Sequence, residues 1–255
     1  MAAPRIGPDG LRSTYWAELT TRVSESVRRI VARGESTTGG RTIPEDDHLL
    51  IGEGRQLSMA VMFIDICGFS DWSSGSFADQ EDVLAIFNIY FSEMVRIARD
   101  YGGEIEKNTG DGLLAYFDIQ PGETEENTCK RSLACALAML ACTAHLINPI
   151  LRASALPEVH FRVGMDFGPA TVAKVGSPRL FSSRLAIGAI ANAASKMLRH
   201  AGRDDVVIGN ELRKRLPAGW AQHAYPLRVD SGFIYRWSGL PYPLYRYTGR
   251  WINLV

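Results

Sequence analysis

Two carboxylates stand where a charge needs a partner. Asp65 interrupts the apolar run Val61-Met62-Phe63-Ile64-Asp65-Ile66-Cys67-Gly68-Phe69, and Asp111 sits between two glycines in Lys107-Asn108-Thr109-Gly110-Asp111-Gly112. A lone charge in a strand-like apolar run is costly to bury. Hard oxygen ligands brought together from separate strands suit Mg²⁺ or Mn²⁺, which binds through one or two carboxylates and substrate phosphates. Gly68 lets the backbone after Asp65 approach a ligand closely, and exposed amides there could cradle a phosphate. A Gly-Asp-Gly turn by itself is most often a plain hairpin tip. Further along, Asn192 and Lys196 stand four residues apart and share one helix face.

These residues need elements to position them. The first strand starts near Leu57 and runs to about Asp65. A helix over residues 79–100 carries Val83, Phe87, Tyr90, Phe91, Met94, Ile97 and Ala98 at helical spacing, a stripe read as core packing. Gly102-Gly103 ends it. A hairpin centred on Asp111 follows, its second strand covering residues 113–117. Residues 123–147 read as a second long helix, Ala- and Leu-rich, with Glu123, Glu125 and Glu126 favourable to its dipole. Strands are expected over 159–165 and 170–175, with a polar loop over 176–184. A helix over 190–200, a short strand over 206–208 and a short helix over 210–216 come next. The tail, residues 233–247, reads as two strands with a turn at 239–243. Strands mixed with helices and antiparallel hairpins make an α+β fold. Ahead of all this, residues 11–32 form an amphipathic helix with Leu11, Tyr15, Leu19, Val23, Val27 and Ile30 near one face. Residues 34–40 break it as a linker. Packing on a partner chain is favoured for this helix over packing on its own domain.

In this order the segments resemble the catalytic core of class III nucleotidyl cyclases. Phe63-Ile64-Asp65-Ile66-Cys67-Gly68-Phe69 looks like that family's first strand and phosphate loop. Tyr101-Gly102-Gly103 and Lys107-Asn108-Thr109-Gly110-Asp111-Gly112 follow. Phe161-Arg162-Val163-Gly164-Met165-Asp166-Phe167-Gly168-Pro169 and Gly188-Ala189-Ile190-Ala191-Asn192-Ala193-Ala194-Ser195-Lys196-Met197 match the later strand and helix. The resemblance covers roughly residues 57–247. It implies a ferredoxin-like βαββαβ core, with an N-terminal helical arm and linker over 1–50 and the catalytic domain over 51–255.

The resemblance also implies roles. Asp65, Asp111 and the carbonyl of Ile66 would hold two divalent cations, Mn²⁺ or Mg²⁺, and Gly68 and Phe69 fall in the phosphate loop. Asn192 would orient the ribose, and Lys196 would stabilise the transition state where the family usually has Arg. A Lys keeps the charge but not the bidentate fork. Lys107 falls at one base-reading position and Leu185 at the other, where adenylate cyclases often carry Asp. Leu cannot accept a hydrogen bond from an exocyclic amine. Lys107 can still donate to a carbonyl oxygen, which uracil and cytosine both present. The family often has a Lys before the glycine of the last hairpin. Trp237-Ser238-Gly239 stands there instead, leaving Arg236, Lys174 and Arg179 as candidate phosphate anchors. Because the family builds its site from two chains and this chain carries both residue sets, a symmetric homodimer is expected.

Composition narrows the class. Lys plus Arg equals Asp plus Glu at 28 each, so the net charge is zero, which argues against a general nucleic-acid binder. Cys67, Cys129, Cys135 and Cys142 do not form a metal-ligand pattern and read as reduced buried thiols. No apolar run is seen that approaches the ~18 residues of a membrane span, and no signal-peptide pattern opens the chain. The expectation is a soluble, cytoplasmic cyclase, most like the stand-alone bacterial pyrimidine cyclases of Pycsar anti-phage defence, whose product activates a cyclic-nucleotide effector. Adenylate or guanylate cyclase is the alternative, and an inactive cyclase-like regulatory domain the second.

Overall fold

The structure is a computed structural model that describes residues 13–33, 54–69, 77–108, 111–177, 181–235 and 238–250. Its centre is a strand pair. The strand β1 (Gly54–Ile66) lies antiparallel between β3 (Gly112–Asp118) and β4 (Phe161–Ser177), and β2 (Glu104–Asn108) adds beyond β3. The long helices α2 (Phe77–Asp100) and α3 (Glu125–Cys142) make the crossovers. This is the βαββαβ core with strand order β2-β3-β1-β4. On the far side of β4, β6 (Val206–Gly209) pairs in parallel, then β8 (Leu244–Tyr247) and β7 (Ala224–Pro226) continue antiparallel.

Alternation along β1 divides the core. Ala60, Met62, Ile64 and Ile66 face the cluster that holds α2 and α3, whereas Met59 and Val61 face a second cluster under α5 (Ala189–Met197). That period of two is what a strand buried on both faces requires. The helix α5 can lie close to β4 because Gly164 has no side chain. A Cβ there would stand 2.2 Å from the Ala194 carbonyl oxygen.

Several expectations are corrected. Residues 161–177 form one unbroken strand rather than two. Pro169 falls between the stretch of β4 paired with β6 and that paired with β5 (Phe181–Ile187), so no ladder bond is lost on that side. The polar loop expected over 176–184 is therefore mostly a β-ribbon. The helix expected to end at 147 passes through a π-helical turn, Thr143–Ile147, into α4 (Asn148–Ala153). The stretch Glu125–Ala153 is in fact long and apolar enough to cross a membrane by length and composition, contrary to the expectation, but 72% of its apolar window is buried in the fold. Among the described residues of the tail, 244–247 form the one strand, and a bridge joins Ile234 and Pro241.

The N-terminal helix α1 (Ser13–Arg33) packs on its own chain, where packing on a partner was expected. Tyr15, Leu19 and Val23 are buried in the main core. Arg22 reaches Glu93 at 3.2 Å and Asp100 at 2.7 Å on α2, and the Tyr15 hydroxyl donates to Asp100 at 3.1 Å. Glu93 is fully buried and also takes Arg96, so the docking contact includes a desolvated charge that needs both cations. Residues 34–40 lie outside the described residues.

Candidate active site

The register of β1 sets the geometry. Asp65 is opposite Gly112 on one side and opposite Arg162 on the other. Asp111 immediately precedes Gly112, and its carbonyl accepts the Ile66 N–H at 3.3 Å. The end of β1 and the start of β3 thus bring the backbones of the two acids to one corner of the sheet. Beyond Ile66 the chain turns through Gly68 at φ +77°, a left-handed conformation that favours glycine. The Cys67 N–H donates to the His160 carbonyl at 2.8 Å, which fixes the start of this loop on β4. The ring of Phe69 packs on Phe87 of α2 at 4.6 Å and anchors its end.

Directly opposite residues of an antiparallel pair point to the same face. Arg162 therefore meets Asp65, with Nε at 2.8 Å and Nη2 at 2.7 Å from Oδ2. Arg162 was not among the expected site residues, because the register that sets it opposite Asp65 joins positions 97 residues apart. Across the sheet plane, Tyr90 of α2 lies against Phe161, the register partner of Ile66, with ring centroids 5.7 Å apart.

Two carboxylates and the backbone oxygens beside them are a hard donor set of the kind Mg²⁺ and Mn²⁺ take. No group of three or more His, Cys, Asp or Glu side chains converges among the described residues. An ion here would draw its remaining ligands from backbone, water and substrate phosphates, and the donor chemistry fits. The cysteines do not compete. Cys129, Cys135 and Cys142 are buried and free, and burial pushes their thiols up. Cys67 is half-buried and its thiol is also raised, chiefly by burial.

Asn192 and Lys196 are exposed on α5, and the Lys196 ammonium stands over the Phe233 ring at 5.0 Å. Among the described residues, neither side chain makes a hydrogen bond or ion pair with Asp65 or Asp111. Leu185 is half-buried in β5 opposite Ala173. Lys107 is in β2, but its side chain lies outside the described residues, as do that of Lys174 and all of Arg179 and Arg236. A cavity of about 520 Å³ opens on the other side of α5, lined by Asp166, Phe167, Ile190, Phe233 and Tyr242 among others, and neither acid borders it.

The family model described as "Adenylate and Guanylate cyclase catalytic domain" matches residues 53–228. The chain belongs to this cyclase family. The chain is 23% identical over 181 residues to a cytidylate cyclase from Escherichia coli, covering 69% of the chain and 39% of that relative. It is 27% identical over 161 residues to a uridylate cyclase from Gulbenkiania mobilis, covering 61% of each. The chain thus spans less than two thirds of either relative. Among solved structures, the adenylyl cyclase CyaB from P. aeruginosa superposes with a TM-score of 0.65 at 23% identity, covering 80% of this chain and all of that one. That likeness shows the cyclase fold, and with it the α+β class read from the sequence.

Proposed function

We propose that this cyclase domain converts a pyrimidine nucleoside triphosphate, UTP in the first place and CTP in the second, to its 3′,5′-cyclic monophosphate and pyrophosphate. The observation that carries the reading is the corner where the backbone of Asp111 bonds to the end of β1 beside Asp65, which holds Arg162. In the reaction the ribose 3′-oxygen bonds to the α-phosphorus, the bond from that phosphorus to the pyrophosphate oxygen breaks, and the hydroxyl proton is lost. Bound Mn²⁺ or Mg²⁺ would supply Lewis-acid activation of the attacking oxygen and charge neutralisation of the leaving phosphates. Asp65, Asp111 and the Ile66 carbonyl would hold two such ions. Gly68 and its loop offer backbone amides to the phosphates. Once Asp65 turns to a cation, Arg162 is released to offer its N–H groups to a phosphate oxygen. Asn192 would orient the ribose and Lys196 would face the charge that develops at phosphorus. Since neither makes a described contact with the acids of its own chain, they would serve the acids of a second copy, in a homodimer with two equivalent sites.

The pyrimidine assignment is supported by Leu185, which cannot read an exocyclic amine, and by the names of the cytidylate and uridylate relatives. Lys107 would donate to the base carbonyl. The product would act as a second messenger in anti-phage defence, read by a cyclic-nucleotide effector, in the cytoplasm. A purine substrate is the second reading, favoured by the fold match to an adenylyl cyclase. Incubating the protein with each of the four ribonucleoside triphosphates and Mn²⁺ separates the two. Cyclic UMP or cyclic CMP is expected. Conversion of ATP or GTP alone overturns the pyrimidine assignment, and no product from any of the four overturns the enzymatic one.

A further inference from the structure

Tyr90 does more than fill the core. It is 1% exposed, and its hydroxyl has no hydrogen-bond partner among the described residues. A buried hydroxyl left unpaired is costly to keep, and such groups are rare in folded proteins. A Phe would fill the same volume without that cost. The ring lies beneath the Ile66–Phe161 rung, the one next to Asp65 and Arg162. After burial itself, the groups that raise its phenol are Asp65, then Cys67, Asp204 and Asp111. Both proposed metal ligands are thus among its electrostatic neighbours. Tyr101 makes the contrast. Its hydroxyl is also buried and unpaired among the described residues, but the groups beside it are Cys135 and Asp100, under the N-terminal helix.

We propose that Tyr90 is a positioning residue of the metal centre, whose hydroxyl donates a hydrogen bond to the oxygen ligands gathered at the Asp65–Asp111 corner when a divalent cation is bound. The orphaned donor is then satisfied only in the loaded protein. Partners of this kind orient ligands and tune affinity without touching the ion. The inference rests on the proposed metal binding at Asp65 and Asp111 and adds to it a residue that the helical stripe gave no sign of.

The test compares wild type, Tyr90→Phe, Tyr101→Phe and Asp65→Asn as full chains without nucleotide. Mn²⁺ affinity is measured by the EPR signal of free Mn²⁺, and thermal unfolding is followed in chelator. Tyr90→Phe should bind Mn²⁺ about tenfold more weakly. Its metal-free melting temperature should stay level or rise by about 2–4 °C, because the unpaired hydroxyl is gone. Tyr101→Phe should bind Mn²⁺ like wild type, and Asp65→Asn should lose binding. Equal affinity in wild type and Tyr90→Phe overturns the role of Tyr90 while leaving the metal site standing. A lower metal-free melting temperature in Tyr90→Phe overturns it too, since the hydroxyl would then have a partner already. Wild-type protein that binds no Mn²⁺ overturns both readings together.

Discussion

Asp65 and Arg162 compete with the cation for each other. In the structure the guanidinium takes Oδ2 of Asp65 through two of its nitrogens. Removing it leaves the carboxylate free for a metal and removes a positive charge beside the site. Arg162→Ala should therefore tighten Mn²⁺ binding in the absence of nucleotide. The same change should lower kcat/KM, because charge-assisted hydrogen bonds are worth about 1.5–3 kcal/mol each, roughly ten- to a hundredfold in rate. Arg162→Lys should lose less turnover, since it keeps the charge but not the fork. Mn²⁺ titration and steady-state kinetics on the same preparations check the opposite signs. If both quantities fall together, Arg162 is a structural partner of Asp65 and no more. Asp65 was legible in the sequence because a carboxylate inside an apolar run must be paired or ligated to be kept there, whereas Asp111, between two glycines, was singled out by the order of motifs around it. Arg162 was not, because a cation at the start of a strand looks the same whether it faces water or an acid on the neighbouring strand. Tyr90 was not, because a helical stripe records only that a side chain is buried.

At the scale of elements, one buried cation ties three of them together. Arg131 of α3 is 1% exposed. Its guanidinium donates to Glu123 at 2.8 and 2.6 Å, to the Tyr101 carbonyl at 2.7 Å, to that of Gly102 at 3.3 Å and to that of Asp118 at 2.9 Å. It thereby closes the C-terminus of α2, the end of β3 and the start of α3 around itself, with its guanidinium over the Phe117 ring. Glu123 is held below the usual carboxylate range by these bonds, against its partial burial. Breaking a buried pair by removing one partner typically costs about 3–5 kcal/mol. Arg131→Met should lower the urea-unfolding free energy by that order, whereas Arg152→Met, whose ion pair with Glu158 is on the surface, should change it little. Neither the partners of Arg131 nor the docking of α1 could be read from local pattern. An apolar stripe says that a helix is covered, not by what, and the choice is made by Glu93 and Asp100, which lie 71 and 78 residues from Arg22. The unity of β4 was hidden for a related reason. Gly168-Pro169 carries a break signal, and only the changing neighbours of the strand make a proline tolerable there.

The whole molecule responds to pH through Asp166, and the proposed homodimer is open to test through the two residue sets of its proposed site. Asp166 is buried behind α5, and burial raises its carboxyl to about 6 despite hydrogen bonds from the Tyr242 hydroxyl at 2.6 Å and the Phe167 and Leu212 amides at 2.9 and 3.1 Å. A folded pKa above the unfolded one means stability that is complete below about pH 3.8 and lost as pH rises through 6. The difference in unfolding free energy between Asp166→Asn and wild type should therefore shift in favour of the variant by on the order of 3 kcal/mol from pH 3 to pH 7. Assembly leads to a sharper test. If the acids of one chain work with Asn192 and Lys196 of another, Asp65→Asn and Lys196→Ala are each inactive as homodimers for different reasons. In a mixed dimer the Lys196→Ala chain brings intact acids and the Asp65→Asn chain an intact helix, so one of its two sites is whole. Random mixing makes about half of the dimers mixed, so co-refolded protein should recover about a quarter of wild-type activity. A site completed within a single chain gives no recovery at any ratio, because no chain in the mixture carries both groups.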